Sequence, residues 1–139
     1  TLATLPQVTA LTDVTGFGLL GHLIEVCEGS HVNAVINMAN IPVIDAVKQY
    51  QALGAIPGGT HRNYDSYGHK AATLNEKQVE ILCDPQTSGG LLVAVTPEGE
   101  GAFLTLMKEE GFDLAPIGTL VERLQQDTLG ALEPYVSIE

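Results

Sequence analysis

Between Gly16 and Glu28 the apolar residues Phe17, Leu20, Ile24 and Cys27 recur at helical spacing, and Leu19, Leu23 and Val26 widen the stripe. His22, Glu25 and Glu28 take the other face, so the pattern predicts an amphipathic helix with an exposed His22. Asp13 and Thr15 stand at its N-terminal edge, where side-chain oxygens cap free amides, and Gly29 supplies a stop. Residues 32–38 alternate partially and predict a strand. Pro42 then opens a second helix carrying Val43, Ile44, Val47 and Tyr50, ending at Gly54.

From Ala55 to Gln78 the chain turns polar, and the pattern predicts either a long loop or several short pieces. Val79 to Cys83 alternates like a strand, breaks at the turn from Asp84 to Gly90, and resumes as the apolar run Leu91 to Val95, which predicts a central strand. Thr96 and Pro97 suit the cap and first position of a third helix, with Phe103, Leu106 and Met107 inward and Gly111 at its close. Ile117 to Val121 predicts a further strand. Thr128 to Ile138 predicts a last one, confined to an edge by Pro134. Strands alternating with three helices imply a sheet partly covered by helices, which excludes an all-helical bundle and a β-sandwich.

Composition narrows the chemistry. With 139 residues, 45% of them hydrophobic, no Trp and only three Phe, a single domain with an aliphatic core is expected. Seventeen acidic residues against six Lys and Arg give a net charge of −11, which argues against a nucleic-acid or anionic-membrane surface. A nucleotide remains compatible, because a divalent cation reverses the local sign. Three of the cations, Arg62, Lys70 and Lys77, gather in the polar stretch. Cys27 and Cys83 have no CxxC spacing, no segment reads as a leader, and no apolar stretch approaches the ~18 to 20 residues of a membrane span, so a cytoplasmic protein is expected. The chain opens at Thr1 without Met and enters motif-rich sequence at once, which leads us to expect a further segment upstream.

Gly16-Phe17-Gly18-Leu19-Leu20-Gly21 spells GxGxxG. A dinucleotide fingerprint also needs a buried strand before it and an acid about 20 residues on. Gln7 to Thr12 makes a poor buried strand, and Asn37-Met38-Ala39-Asn40 stands where the acid belongs, so the glycines read better as close-packing positions. Asp13 has two readings: a helix cap, or one ligand of a metal whose other ligands lie outside this chain. Thr87 and Ser88, with the Gly89 and Gly90 amides, read equally as an anion site or a tight turn. Gly58-Gly59-Thr60-His61-Arg62-Asn63 reads as a solvated loop or as an amide nest with Arg62 as its guanidinium. His61 and His69 lack the paired spacing of a zinc site. Cys27 falls on the buried stripe and Cys83 at a strand end, neither beside a His that would activate it.

Three segments together carry a resemblance. Leu11-Thr12-Asp13-Val14-Thr15-Gly16-Phe17-Gly18-Leu19-Leu20-Gly21-His22, Pro57-Gly58-Gly59-Thr60-His61-Arg62-Asn63 and Cys83-Asp84-Pro85-Gln86-Thr87-Ser88-Gly89-Gly90-Leu91-Leu92, in this order, resemble the C-terminal half of the selenophosphate synthetases, members of the AIR synthase superfamily. The resemblance covers essentially the whole chain, apart from a tail from Gln125 to Glu139 that bears no matching motif. It implies an α+β domain of three α/β/α layers with a partly ferredoxin-like sheet, occupying residues 1–139, beside an N-terminal ATP-binding domain outside this chain.

It further implies an enzyme that converts ATP, selenide and water to selenophosphate, AMP and phosphate, with Mg²⁺ between the nucleotide and several aspartates. The subunits would form homodimers, chiefly through the N-terminal domains. By the motif match Asp13 corresponds to the metal-binding aspartate of this half. The reactive Cys or selenocysteine, its partner Lys and most nucleotide contacts would lie in the other half, so neither Cys27 nor Cys83 is that nucleophile. Arg62, Thr87 and Ser88 fall at motif positions with no role assigned. Two other readings of the same fold are a non-catalytic binding or dimerisation module and another superfamily ATP enzyme, such as a thiamine monophosphate kinase or an AIR synthase.

Overall fold

A computed structural model describes residue 5 and residues 7–123 and 133–139. The chain runs β1 (Val8–Asp13), α1 (Gly18–Ser30), β2 (Val32–Ile36), α2 (Asp45–Ala52), α3 (Gly59–Tyr67), α4 (Glu76–Leu82), β3 (Leu91–Val95), α5 (Glu100–Glu109), β4 (Gly118–Glu122) and β5 (Val136–Ile138), with 3₁₀ turns at Met38–Asn40, Gly68–Lys70 and Pro97–Gly99. The class is α+β, as expected.

The strands fall into two sheets. β1 and β3 form an antiparallel pair, while β2 lies between antiparallel β4 and parallel β5. One core unites the second sheet with the helices. Leu20, Leu23, Ile24 and Cys27 of α1 pack with Ala34 and Ile36 of β2, Tyr67 of α3, Leu74 ahead of α4, Val79 and Leu82 of α4, and Val136 of β5. Leu20 and Leu82 are completely buried, and burial of each such side chain contributes about 1.5–3 kcal/mol.

The apolar stripe of α1 is as predicted, except that Phe17 sits just before the helix and is 52% exposed. The stop is not Gly29 but His31, whose left-handed backbone (φ 55°) directs its N–H back to the Cys27 and Glu28 carbonyls. Neither Asp13 nor Thr15 caps the helix: Asp13 ends β1, and α1 has no side-chain cap. Val43 and Ile44 precede α2, which buries none of its residues.

The polar stretch resolves into short pieces: α3, the 3₁₀ turn at Gly68–Lys70 and the first three residues of α4. Val79 to Cys83, predicted as a strand, is the second half of α4 with its closing residue. Five residues are too few to separate the two periods, but Val79, Leu82 and Cys83 stand at i, i+3 and i+4 and are all buried. The start was written in a capping box: the Asn75 side chain accepts from the Gln78 amide (3.0 Å), and the Gln78 side chain accepts from the Asn75 amide (2.8 Å). The chain therefore has five α-helices among its described residues, not three.

β3 is also not central. Among the described residues it pairs with β1 alone, and its side chains are half-buried or, at Leu91, exposed. Thr96 and Pro97 lead into a 3₁₀ turn, and α5 follows. The predicted strand at 128–138 is confirmed for Val136–Ile138 and not for residues 133–135, which precede it without strand structure; residues 128–132 lie outside the described residues. No described helix is long and apolar enough to cross a membrane.

Gly18 is the tightest joint between α1 and the chain that follows α4. Its φ is +70°, and a Cβ there would lie 2.8 Å from the Cys83 carbonyl carbon and from the Leu82 oxygen. Gly54 has a similar φ of +73° with open space around it. Gly54→Ala should therefore cost only the conformational strain, about 1–2 kcal/mol, whereas Gly18→Ala should cost clearly more, as measured by urea unfolding. Equal losses at the two positions would show that the close approach at Gly18 carries no energy.

Candidate functional site

The three signature segments, separated by tens of residues, meet in space. Asp13 is the last residue of β1, opposite Leu91 of β3, and its side chain is on the exposed phase of the strand's alternation. The next residue continues the ladder, with the Val14 amide donating to the Gly90 carbonyl (2.9 Å). Gly89 lies so close to the Val14 carbonyl that a Cβ would collide with it, so the 84–90 turn is pressed against the end of β1.

The Thr15 carbonyl then accepts two amides, from Gly18 at the start of α1 (3.0 Å) and from Gln86 in the turn (3.1 Å). Asn63 of α3 closes the assembly. Its side-chain amide donates to the Gly16 carbonyl (2.8 Å) and the Cys83 carbonyl (2.9 Å), so one carboxamide joins all three segments. One turn further along α3, the Tyr67 hydroxyl donates to the Phe17 carbonyl. Gly59 at the head of α3 lies against the Pro85 ring, where a Cβ would be 3.0 Å from it.

Asp13 is therefore an exposed hard-oxygen donor on a firmly held strand end. Among the described residues no group of three or more His, Cys, Asp or Glu side chains converges to hold a metal. Asp13 fits Mg²⁺ as one ligand of several, in keeping with an ion that takes one or two carboxylates and fills its shell with phosphates and water. Thr87 and Ser88 are exposed in the turn beside it. Arg62 is also exposed. Its guanidinium folds back over Gly58 and Gly59 at the head of α3, and no described carboxylate pairs with it.

Asp84 sits half-buried in the turn. Burial pushes its carboxyl above the usual range, and a hydrogen bond from the Gln86 side chain pulls it partly back.

His22 overturns the expectation of exposure: it is only 7% exposed. The loop folds back over this position, so Thr15 Oγ1 lies 3.0 Å from Nε2, while Glu25 Oε2 lies 3.0 Å from Nδ1. Helical periodicity placed His22 on the polar face, and it carries no information about a loop that returns to cover that face. Thr60 is fully buried, and its hydroxyl has no hydrogen-bond partner among the described residues. A groove of about 490 Å³ lies elsewhere, on the three-stranded sheet, lined by Val35, Asn37, Asn40, Gly118 and Thr119. Asn37 caps the 3₁₀ turn after β2 and Asn40 ends it, with no acid between them, and β1 is a half-exposed strand, so the dinucleotide reading has no support.

The model of the AIR synthase related protein C-terminal domain matches residues 1–127. The chain belongs to this family. Within it, the chain is 61% identical over 119 residues to the selenide, water dikinase of Pseudomonas putida, an alignment covering 86% of this chain and 35% of that protein. It is 56% identical over 120 residues to the enzyme of the same name from Haemophilus influenzae, covering 86% and 35% respectively. For the namesake from Pseudomonas aeruginosa the identity is 57% over 119 residues, covering 86% and 35%. The chain thus spans about a third of the length of these relatives.

The cysteines of this AIR synthase related domain are core residues, Cys27 as expected and Cys83 at the end of a helix instead of a strand. Burial pushes the Cys27 thiol up to about 11, against a smaller downward pull from Arg123; burial likewise pushes Cys83 up to about 11, against a hydrogen bond with Tyr67. A thiol whose folded value exceeds its unfolded value of about 9 keeps its proton in the fold while the unfolded chain loses it, so stability falls as pH rises from about 9 to about 11. Urea midpoints should drop across that window, less so in Cys27→Ala, and iodoacetamide should label neither thiol appreciably at pH 7 until the chain unfolds. Rapid native labelling at pH 7 would contradict this assignment.

Removing the carboxamide at position 63 leaves the part-buried Cys83 carbonyl without this donor, while water can reach the exposed Gly16 carbonyl. Asn63→Ala should cost about 1–3 kcal/mol of stability, and Asn63→Asp, which presents a carboxylate to the same two carbonyls, at least as much. Thermal unfolding of the two variants measures this, and an unchanged midpoint in Asn63→Ala would remove the carboxamide from its role as the joint.

Proposed function

We propose that this chain is the C-terminal domain of a selenophosphate synthetase, an enzyme that makes selenophosphate, AMP and phosphate from ATP, selenide and water. The observation that carries the reading is the meeting of the three signature segments at Asn63, with Asp13 projecting from their junction. The names and identities of the relatives support it.

In this reading Asp13 contributes one oxygen ligand to Mg²⁺. When bound, the cation neutralises charge on the phosphates, and the N-terminal domain of the same protein supplies the remaining ligands and most contacts to ATP. What this chain adds is position. The ladder from β1 to Gly90 and the Thr15 carbonyl hold the backbone on either side of Val14, so the Asp13 carboxylate is presented from a backbone with little freedom left to lose. Phosphoryl transfer is catalysed mainly by alignment and charge neutralisation, so a fixed carboxylate is the fitting contribution. Arg62, Thr87 and Ser88, exposed on the segments that adjoin the junction, are the candidates for contacts to phosphate oxygens. The working protein is a cytoplasmic homodimer, and this domain alone has little activity.

In a protein containing this chain and the N-terminal domain, Asp13→Ala should reduce selenide-dependent ATP turnover about 100-fold or more, a loss typical of removing one preorganised electrostatic contact. The thermal midpoint should change little, since the side chain is exposed. Turnover equal to that of the parent protein would remove Asp13 from the mechanism.

A further inference from the structure

We infer that Glu25 and His22 are positioning residues that act on the Asp13 loop through Thr15. This rests on the reading of Asp13 given above.

The three side chains form one chain of hydrogen bonds. Glu25 Oε2 is 3.0 Å from His22 Nδ1, and His22 Nε2 is 3.0 Å from Thr15 Oγ1. An ionised carboxylate only accepts, so Nδ1 donates to Glu25, and Nε2 is paired with the Thr15 hydroxyl, accepting from it when the ring carries one proton and donating to it when the ring carries two. Either way the two bonds fix the ring orientation and tie Thr15 to Glu25.

The direction of the bonds distinguishes this from a merely satisfied buried histidine. Both ring nitrogens of a 7% exposed side chain are committed, one to an exposed carboxylate on its own helix and the other to the loop that follows Asp13. Filling the same volume with an aliphatic side chain would avoid burying a polar ring. The Phe17 ring, 5.8 Å from the imidazole and tilted by 49°, lies beside it.

Thr15 is thereby held twice, through its hydroxyl by His22 and through its carbonyl by the Gly18 and Gln86 amides. Val14 alone separates Thr15 from Asp13 along the chain. A shift in Thr15 is therefore passed to the carboxylate, and it requires no contact between His22 and the cation.

The test uses the full-length protein and reads Mn²⁺ binding in the presence of ATP by electron paramagnetic resonance, beside kcat, KM and the thermal midpoint. Thr15→Val and His22→Leu should each raise the Mn²⁺ concentration for half-saturation about tenfold, the lower end of the loss seen when a group behind a metal ligand is removed. The double variant should be no worse than the more affected single one, because both break the same chain. Thr15→Ser, which keeps the hydroxyl, should stay within about twofold of the parent. If His22→Leu fails to fold, Glu25→Ala, altered at an exposed position, should still weaken Mn²⁺ binding, by about threefold.

Asp13→Ala is run alongside as the reference. If it weakens Mn²⁺ binding while Thr15→Val and Glu25→Ala do not, the positioning role is overturned and the role of Asp13 stands. If Asp13→Ala leaves Mn²⁺ binding unchanged, the reading of Asp13 falls and this inference falls with it. Multiplicative losses in the double variant would also overturn it, since they would mean two independent routes.

Discussion

One side-chain amide holds the site region together. Both hydrogens of Asn63 are spent on carbonyls that secondary structure leaves without partners, Gly16 just before α1 and Cys83 just after α4. The Cys83 carbonyl is part-buried and would be costly unmatched, so the position of α3 is set in part by a hydrogen-bonding requirement of the backbone, and not by apolar packing alone. Tyr67 repeats the device one helical turn later, at the Phe17 carbonyl. The two contacts, four residues apart on one helix face, set both the height and the rotation of α3 against the head of α1. Gly18 follows as a consequence, because the backbone of residues 82–84 then passes too close for any side chain there.

What could be read from the sequence depended on how local the cause was. The α1 stripe was legible because Leu20, Leu23, Ile24 and Cys27 all face one core, and the stripe is a property of a single segment. The head of α4 was equally local, an Asn75-to-Gln78 capping box, but the alternation of the next five residues concealed it. β3 misled in a different way. Its run of apolar residues suggested neighbours on both edges, whereas its register to β1 leaves the strand half-covered. His22 was illegible in principle, since its burial arises from a loop returning over the polar face of the helix. The signature residues could be recognised as motifs, yet nothing in their spelling told that Asn63 would be the one to join them.

Charge explains why the site is built so sparingly. In a chain of net charge −11 an exposed Asp13 adds to an already negative surface, which favours the approach of cations and disfavours a bare polyphosphate. The counterweights are few. Lys70 is engaged with Glu28 (2.7 Å), and Arg123 is spent on Asn33 and the Tyr135 ring, so Arg62 is the guanidinium left facing outward near the junction. Asp84 carries the opposite tension. Its carboxyl is held half-buried against a desolvation cost that one Gln86 hydrogen bond only partly offsets, within the turn that braces Val14.

On the proposed reading Asp13 works as one ligand among several, and such a carboxylate has to arrive already aimed, because the ion's other ligands would come from groups outside this chain. An isolated exposed aspartate on a flexible loop would lose side-chain and backbone freedom each time the site assembled, and that loss would be subtracted from cation affinity. Here the backbone part of that freedom is removed during folding. The β1–β3 ladder holds one side of Asp13, and the doubly held Thr15 holds the other, with Glu25 and His22 behind it. The cost is absorbed by the stability of the domain and not by the binding event. The residues that matter most to a site of this kind therefore include ones that never touch the ligand, and here they lie on the first two turns of α1 and at the middle of α3.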